Sequence, residues 1–69
     1  MPTLRQLRLE ARLSSTKLAR LADVDRQTVV RAESGVPVQD VKAYAIVTAL
    51  GKVLGRDLRL EDVDGLRII

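Results

Sequence analysis

Arg26, Gln27 and Arg31 are the side chains of this chain best equipped to hydrogen-bond a planar polar partner. A guanidinium can donate two parallel hydrogen bonds to O6 and N7 of guanine. A glutamine carboxamide can donate to N7 of adenine and accept from its N6 amino group in the matching bidentate pattern. On one helix, positions 27 and 31 lie a turn apart on the same side, with 26 and 30 beside them. Val30 is either a contact for a thymine methyl or a lone surface apolar residue. Thr28 either reaches a phosphate or base or only caps the helix. A second group, Ser15, Thr16 and Lys17, opens another helical stretch. The first-turn amides of a helix present N–H groups to an anion such as a phosphate. Ser15 and Lys17 are the phosphate contacts expected there. The expected nucleic-acid-binding set is therefore Ser15, Lys17, Arg26, Gln27, Thr28, Val30 and Arg31.

Residue types that are missing exclude other chemistry. The 69 residues contain no His and no Cys, and the only aromatic side chain is Tyr44. The commonest general base, the thiolate nucleophile and the imidazole and thiolate metal ligands are all absent. There is no glycine-rich phosphate loop, and the paired acids Glu61 and Asp62 are adjacent and solvated in this reading. Catalysis, a cofactor, a metal site and a small-molecule ligand are not expected. No charged and apolar leader opens the chain, and its apolar runs are far too short to span a bilayer. A soluble cytoplasmic protein without a membrane partner is expected.

Charge placement adds to this. The formal net charge is +3. Residues 1–35 carry seven basic and four acidic side chains, whereas residues 36–69 carry five of each. All of the excess positive charge lies in the half that holds Lys17, Arg26 and Arg31, as expected of a face that meets a polyanion. The same excess is also ordinary for a soluble domain.

The elements that position these residues read as helices. Thr3 and Gln6 form a capping-box pattern that starts a helix over about 4–12, with Leu4, Leu7 and Ala11 on one face. Ser14 caps a second over about 15–22, with Leu18, Ala19 and Ala22 inward. Asp23-Val24 forms a tight turn, in which Asp tolerates positive φ better than most residues. Asp25 caps a third helix over about 26–34, with Val29 and Ala32 inward. Gly35 and Pro37 stop it. Two short helices about a tight turn, over 14–35, form a helix-turn-helix, a unit that places its second helix in a major groove. A fourth helix starts near Val38 or Gln39 and runs to about Leu54, carried by Ala43, Ile46, Val47 and Leu50. Gly51 is a potential stop within it. A turn at 55–57 and a short helical turn over 60–63 follow. Residues 65–69 have strand character but no evident partner strand. A single domain over 1–69 is expected, with an aliphatic core.

Leu7-Arg8, Leu13-Ser14, Leu18-Ala19, Val24, Val29 and Glu33 together resemble the phage-repressor and Cro-like helix-turn-helix family, which includes the xenobiotic-response-element regulators. The resemblance runs from about Leu4 to Leu50. It implies an all-α domain of four or five helices that binds operator DNA, usually as a dimer. It also implies an ion pair between Arg8 and Glu33, tying the first helix to the third. The chain departs from the family at three places. Arg12 stands where Gly is common, implying a differently shaped turn, and Asp23 replaces the turn Gly. The link Ser34–Val38 lacks the usual basic residues, implying weaker phosphate anchoring there or anchoring by backbone N–H groups.

The expected function is a sequence-specific DNA-binding transcriptional regulator, with helix 26–34 in the major groove. A homodimer on a palindromic operator of double-stranded DNA is expected, because one such domain covers one half-site. Candidate interface residues lie at 55–69 and just before: Leu54, Leu58, Leu60, Val63, Leu66, Ile68 and Ile69. That apolar end either folds back on the core or meets a partner. The alternative is a protein-interaction module, such as an antitoxin or a regulator's partner, built on the same fold.

Overall fold

The computed structural model describes residues 1–69 and contains four α-helices and one short 3-10 turn. These are α1 (Leu4–Glu10), α2 (Ser15–Ala22), α3 (Arg26–Glu33), α4 (Asp40–Leu54) and the turn Leu60–Asp62. The fold is all-α, with no sheet.

Local chemistry explains where the helices begin. The Thr3 hydroxyl accepts from the Gln6 amide at 3.1 Å while the Gln6 side chain accepts from the Thr3 amide at 2.9 Å, the reciprocal capping box. Ser14 Oγ accepts from the Lys17 amide at 3.0 Å. Asp25 occupies the N-cap of α3 in extended conformation but makes no side-chain capping bond.

The ends of the first two helices share one device. α1 stops at Glu10, short of the expected Arg12, because Arg12 turns left-handed at φ +59°. Asp23 does the same after α2, at φ +57°. Arg12 thus takes the conformation that Gly adopts freely, so the turn keeps that shape despite its side chain. Asp23 reverses the chain tightly enough for the Val24 amide to reach the Ala19 carbonyl at 2.9 Å.

Gly51 does not end α4, which continues to Leu54 and stops at Gly55 in the left-handed region. A Cβ on Gly51 would lie 2.6 Å from the Arg56 carbonyl oxygen. The glycine is needed for the close return of the chain over α4, not for a break in it.

One continuous core holds the helices together. Leu4, Leu7, Leu18, Val29, Ile46, Val47 and Leu50 are its fully enclosed large side chains. The C-terminal segment joins the same core. Val63 is only 6% exposed, and Leu54, Leu58, Leu60 and Leu66 pack against the core residues. Of the seven apolar residues considered for a partner surface, Ile68 and Ile69 alone remain exposed. The tail also has a backbone partner that its sequence did not reveal. The Val38 amide donates to the Arg67 carbonyl at 3.0 Å, and the Ile69 amide donates to the Val38 carbonyl at 2.9 Å, a single parallel bridge. A second bridge joins Thr3 to Asp64, with the Asp64 amide donating to the Pro2 carbonyl at 2.9 Å. No helix is long and apolar enough to cross a membrane.

Candidate nucleic-acid interface

α3 buries one face and offers the other. Thr28, Val29 and Ala32 are buried, while Arg26, Gln27 and Arg31 are exposed and Val30 is half-buried. The two arginines and the glutamine therefore project from one short, rigidly seated helix. Thr28 differs from its neighbours. At 8% exposure its side chain lies at the floor of a groove instead of on the open face. The third residue of this helix is drawn inward with Val29, which leaves little hydroxyl surface to offer a ligand.

The seat of α3 is set by Arg8. Its Nε donates to Glu33 Oε2 at 2.6 Å and its Nη2 donates to Glu33 Oε1 at 3.1 Å. Its Nη1 donates to the Leu13 carbonyl at 2.9 Å. The two side chains are only 13% and 12% exposed. The planar fork thus links α1, the left-handed turn at Arg12 and the C-terminal end of α3 in one arrangement. Bidentate pairing fixes orientation as well as distance, which a lysine could not do. With the guanidinium committed to these partners, Arg8 is a positioning residue for α3.

The start of α2 lies open beside this helix in the chain. Ser14 takes the Lys17 amide with its hydroxyl and the Leu18 amide with its carbonyl. The amides of Ser15 and Thr16 stay at the open end of the helix, where the positive end of the backbone dipole adds to the exposed Lys17 ammonium. Ser15 itself is half-buried.

A cation that sequence reasoning missed stands alongside α3. Lys42 lines one groove with Thr28, Arg31, Val38 and Gln39. It belongs to the first turn of α4, so the uncharged link Ser34–Val38 is followed at once by a basic residue on the Arg31 side. The charge balance of residues 36–69 hid it, because five acids there cancel the five basic side chains. The signal available was its place, one turn after the helix start that follows Pro37. Arg12 and Arg20 are exposed on other elements, and neither takes part in the α3 arrangement described.

The link itself is held in shape by its own hydrogen bonds. Ser34 Oγ donates to the Val30 carbonyl at 2.9 Å, and the Val36 amide donates to the Arg31 carbonyl at 3.0 Å. Its far end is pinned by the Val38 bridge to the tail. No cluster of acids that could hold a metal ion is present.

A sequence model of the helix-turn-helix family matches residues 4–59, which takes in all four helices. No curated protein and no solved structure matches the chain.

Proposed function

Because the chain belongs to the Cro/C1-type helix-turn-helix family of DNA-binding regulators, we propose that α3 enters the major groove of double-stranded DNA and reads base edges with Arg26, Gln27 and Arg31. Val30 lies on the edge of that face and meets a thymine methyl. Ser15 and Lys17 at the start of α2 hold one phosphate, and Lys42, alongside α3, holds another. Thr28 contributes by seating the helix. The protein acts as a homodimer on a palindromic operator, with half-sites roughly 34 Å apart.

The observation that carries this reading is the division of α3: a buried side anchored by Val29 and the Arg8–Glu33 fork, and an exposed side made of Arg26, Gln27 and Arg31. A side chain can discriminate bases only when its helix is held in one register, and here the anchor and the reading face are parts of the same eight residues.

Selection of random double-stranded fragments by the purified protein at two salt concentrations tests it. Enrichment of a short palindrome that persists at the higher salt is expected. Fragments without a common motif, released together as salt rises, would reduce the interaction to phosphate attraction and sink the assignment of Arg26, Gln27 and Arg31 to base reading.

A further inference from the structure

The exposed side of α4 carries apolar area that the DNA reading leaves unused. Val41 is 75% exposed and Tyr44 is 65% exposed. Tyr44 is the only aromatic residue in the chain, and it lies outside the core. Leu60, from the 3-10 turn, joins Val41 and Tyr44 along one shallow apolar cleft, together with Asp40. On one side Val41 also borders a cleft lined by Ala22, Val24 and Ala45 whose charged rim is mostly acidic: Asp23 and Asp25, with Lys42 among them. On the other side Tyr44 borders a cleft with Thr48, Gly51 and Leu58 whose charged rim is mostly basic: Lys52, Arg56 and Arg59, with Asp57 among them. The three clefts form one strip, apolar along its middle, acidic at the α4 start and basic at the α4 end.

We propose that this strip is the homodimer interface and that its occupant is the same strip on a second copy of the chain. The argument is self-complementarity. A two-fold contact must match one patch to itself, so an acidic end has to meet a basic end with the apolar middle shared. An antiparallel pairing of two α4 helices does this: Asp40 and Asp23 of one copy lie towards Lys52 and Arg56 of the other, and the Tyr44 ring of each enters the cleft over Gly51. Asp40 and Lys52 are roughly 18 Å apart along the helix at 1.5 Å per residue. That exceeds the screening length of about 8 Å at physiological salt, so the two ends do not neutralise one another within one chain. Arg56 and Arg59 make exposed pairs with Glu10 and Glu61, at 3.1 and 3.7 Å. Such solvated pairs are weak and exchange readily. Tyrosine is among the residue types enriched as central anchors at interfaces, as it buries a large rigid ring with little loss of rotamer freedom. The apolar end of the chain, considered earlier for this task, is largely occupied by its own core.

The inference rests on the dimeric part of the DNA reading, and the two are tested separately. Sedimentation equilibrium of the full chain from micromolar to millimolar concentration should give a monomer–dimer equilibrium. Tyr44→Glu and Val41→Lys should each raise the dissociation constant by about tenfold or more. Both side chains are exposed, so the circular dichroism spectrum should not change, nor should the melting temperature at concentrations where the parent is monomeric. The chain has no cysteine, so Thr48→Cys should form a copy-to-copy disulfide under mild oxidation, while Leu9→Cys should stay monomeric. Each Tyr44 or Val41 variant should still bind an isolated half-site as the parent does. Arg26→Ala should still dimerise while losing base preference. A chain that is monomeric throughout, or a dimer indifferent to Tyr44→Glu and Val41→Lys, overturns the proposed interface and leaves the DNA reading standing. A monomer that takes up a foreign protein through Tyr44 overturns it in favour of that partner. Intact dimerisation with no sequence preference in any fragment overturns the DNA reading and leaves the interface standing.

Discussion

α3 and α4 turn opposite kinds of surface to solvent, although both rest on one core. α3 buries Thr28, Val29 and Ala32 and exposes Arg26, Gln27 and Arg31. α4 buries Ala43, Ile46, Val47 and Leu50 and exposes Val41 and Tyr44. The buried sides are similar in kind, being closely packed and, apart from Thr28, aliphatic. The exposed sides are not: one carries hydrogen-bond donors suited to a grooved polyanion, the other apolar area suited to another protein surface. In so small a domain the two faces must share one scaffold. The residues that hold the scaffold therefore affect both faces, and those that line a face affect one.

Glu33→Ala should have the largest effect, because it breaks the comparison at its root. It leaves the Arg8 guanidinium nearly buried without its carboxylate. Removing one partner of such a pair costs about 3 kcal/mol or more. Thermal denaturation should show a large fall in melting temperature, and both DNA binding and self-association should weaken together. A melting temperature within a degree or two of the parent would show that the fork contributes little.

Gly51→Ala acts from the α4 side. Helix propensity alone favours Ala by about 1 kcal/mol. The 2.6 Å approach of the Arg56 carbonyl opposes it, and overpacking at such a site costs about 1–3 kcal/mol. A net loss of stability is expected by urea unfolding. A gain would mean that the 55–58 return is free to move away.

Arg26→Ala sharpens the comparison, since it should touch only the α3 face. Loss of about 1–3 kcal/mol of discrimination at one base pair is expected, with an unchanged melting temperature. Binding titrations against single-base operator variants measure it, and equal weakening on every variant would make Arg26 a phosphate contact instead. Lys42→Ala should show that phosphate pattern: uniform weakening and a salt slope smaller by about one. A salt slope identical to the parent would remove Lys42 from the interface.

The smallest effect is expected at the α1–α2 corner, outside both faces. Arg12 holds φ +59° without the freedom of glycine. Left-handed backbone costs a non-glycine residue about 1–2 kcal/mol, and part of that gain is offset by the larger entropy of glycine in the unfolded chain. Arg12→Gly should therefore stabilise by somewhat under about 1 kcal/mol, seen as a small rise in the urea midpoint with DNA binding and dimerisation unchanged.

What could be read in the residues follows the range of the interactions involved. Thr3 with Gln6, Ser14 with Lys17, and the turn at Asp23 are bonds or backbone states spanning a few positions. Their chemistry is written in neighbouring letters, so the helix starts and the helix-turn-helix were legible. The exposed set Arg26, Gln27 and Arg31 was legible for the same reason, since the 3.6-residue period places them opposite Val29 and Ala32. The Arg8–Glu33 pair, separated by 25 positions, was reached through family resemblance and not through any local rule.

Other features were decided only by the tertiary fold. Thr28 is enclosed because α3 lies close against its neighbours, Lys42 joins Arg31 because α4 starts beside the end of α3, and Gly51 is required because the chain returns over it. The tail is the clearest case. Leu-Arg-Ile-Ile reads as a strand without a mate, and its mate is the single residue Val38 in a link some thirty positions earlier. The sequence by itself determined which segments are helical, where they are capped, and which side chains suit a nucleic acid, because those properties arise from interactions within one or two turns. The tertiary structure alone decided what the apolar end of the chain covers and which apolar face stays open, because burial depends on the competition among all apolar surfaces for one core.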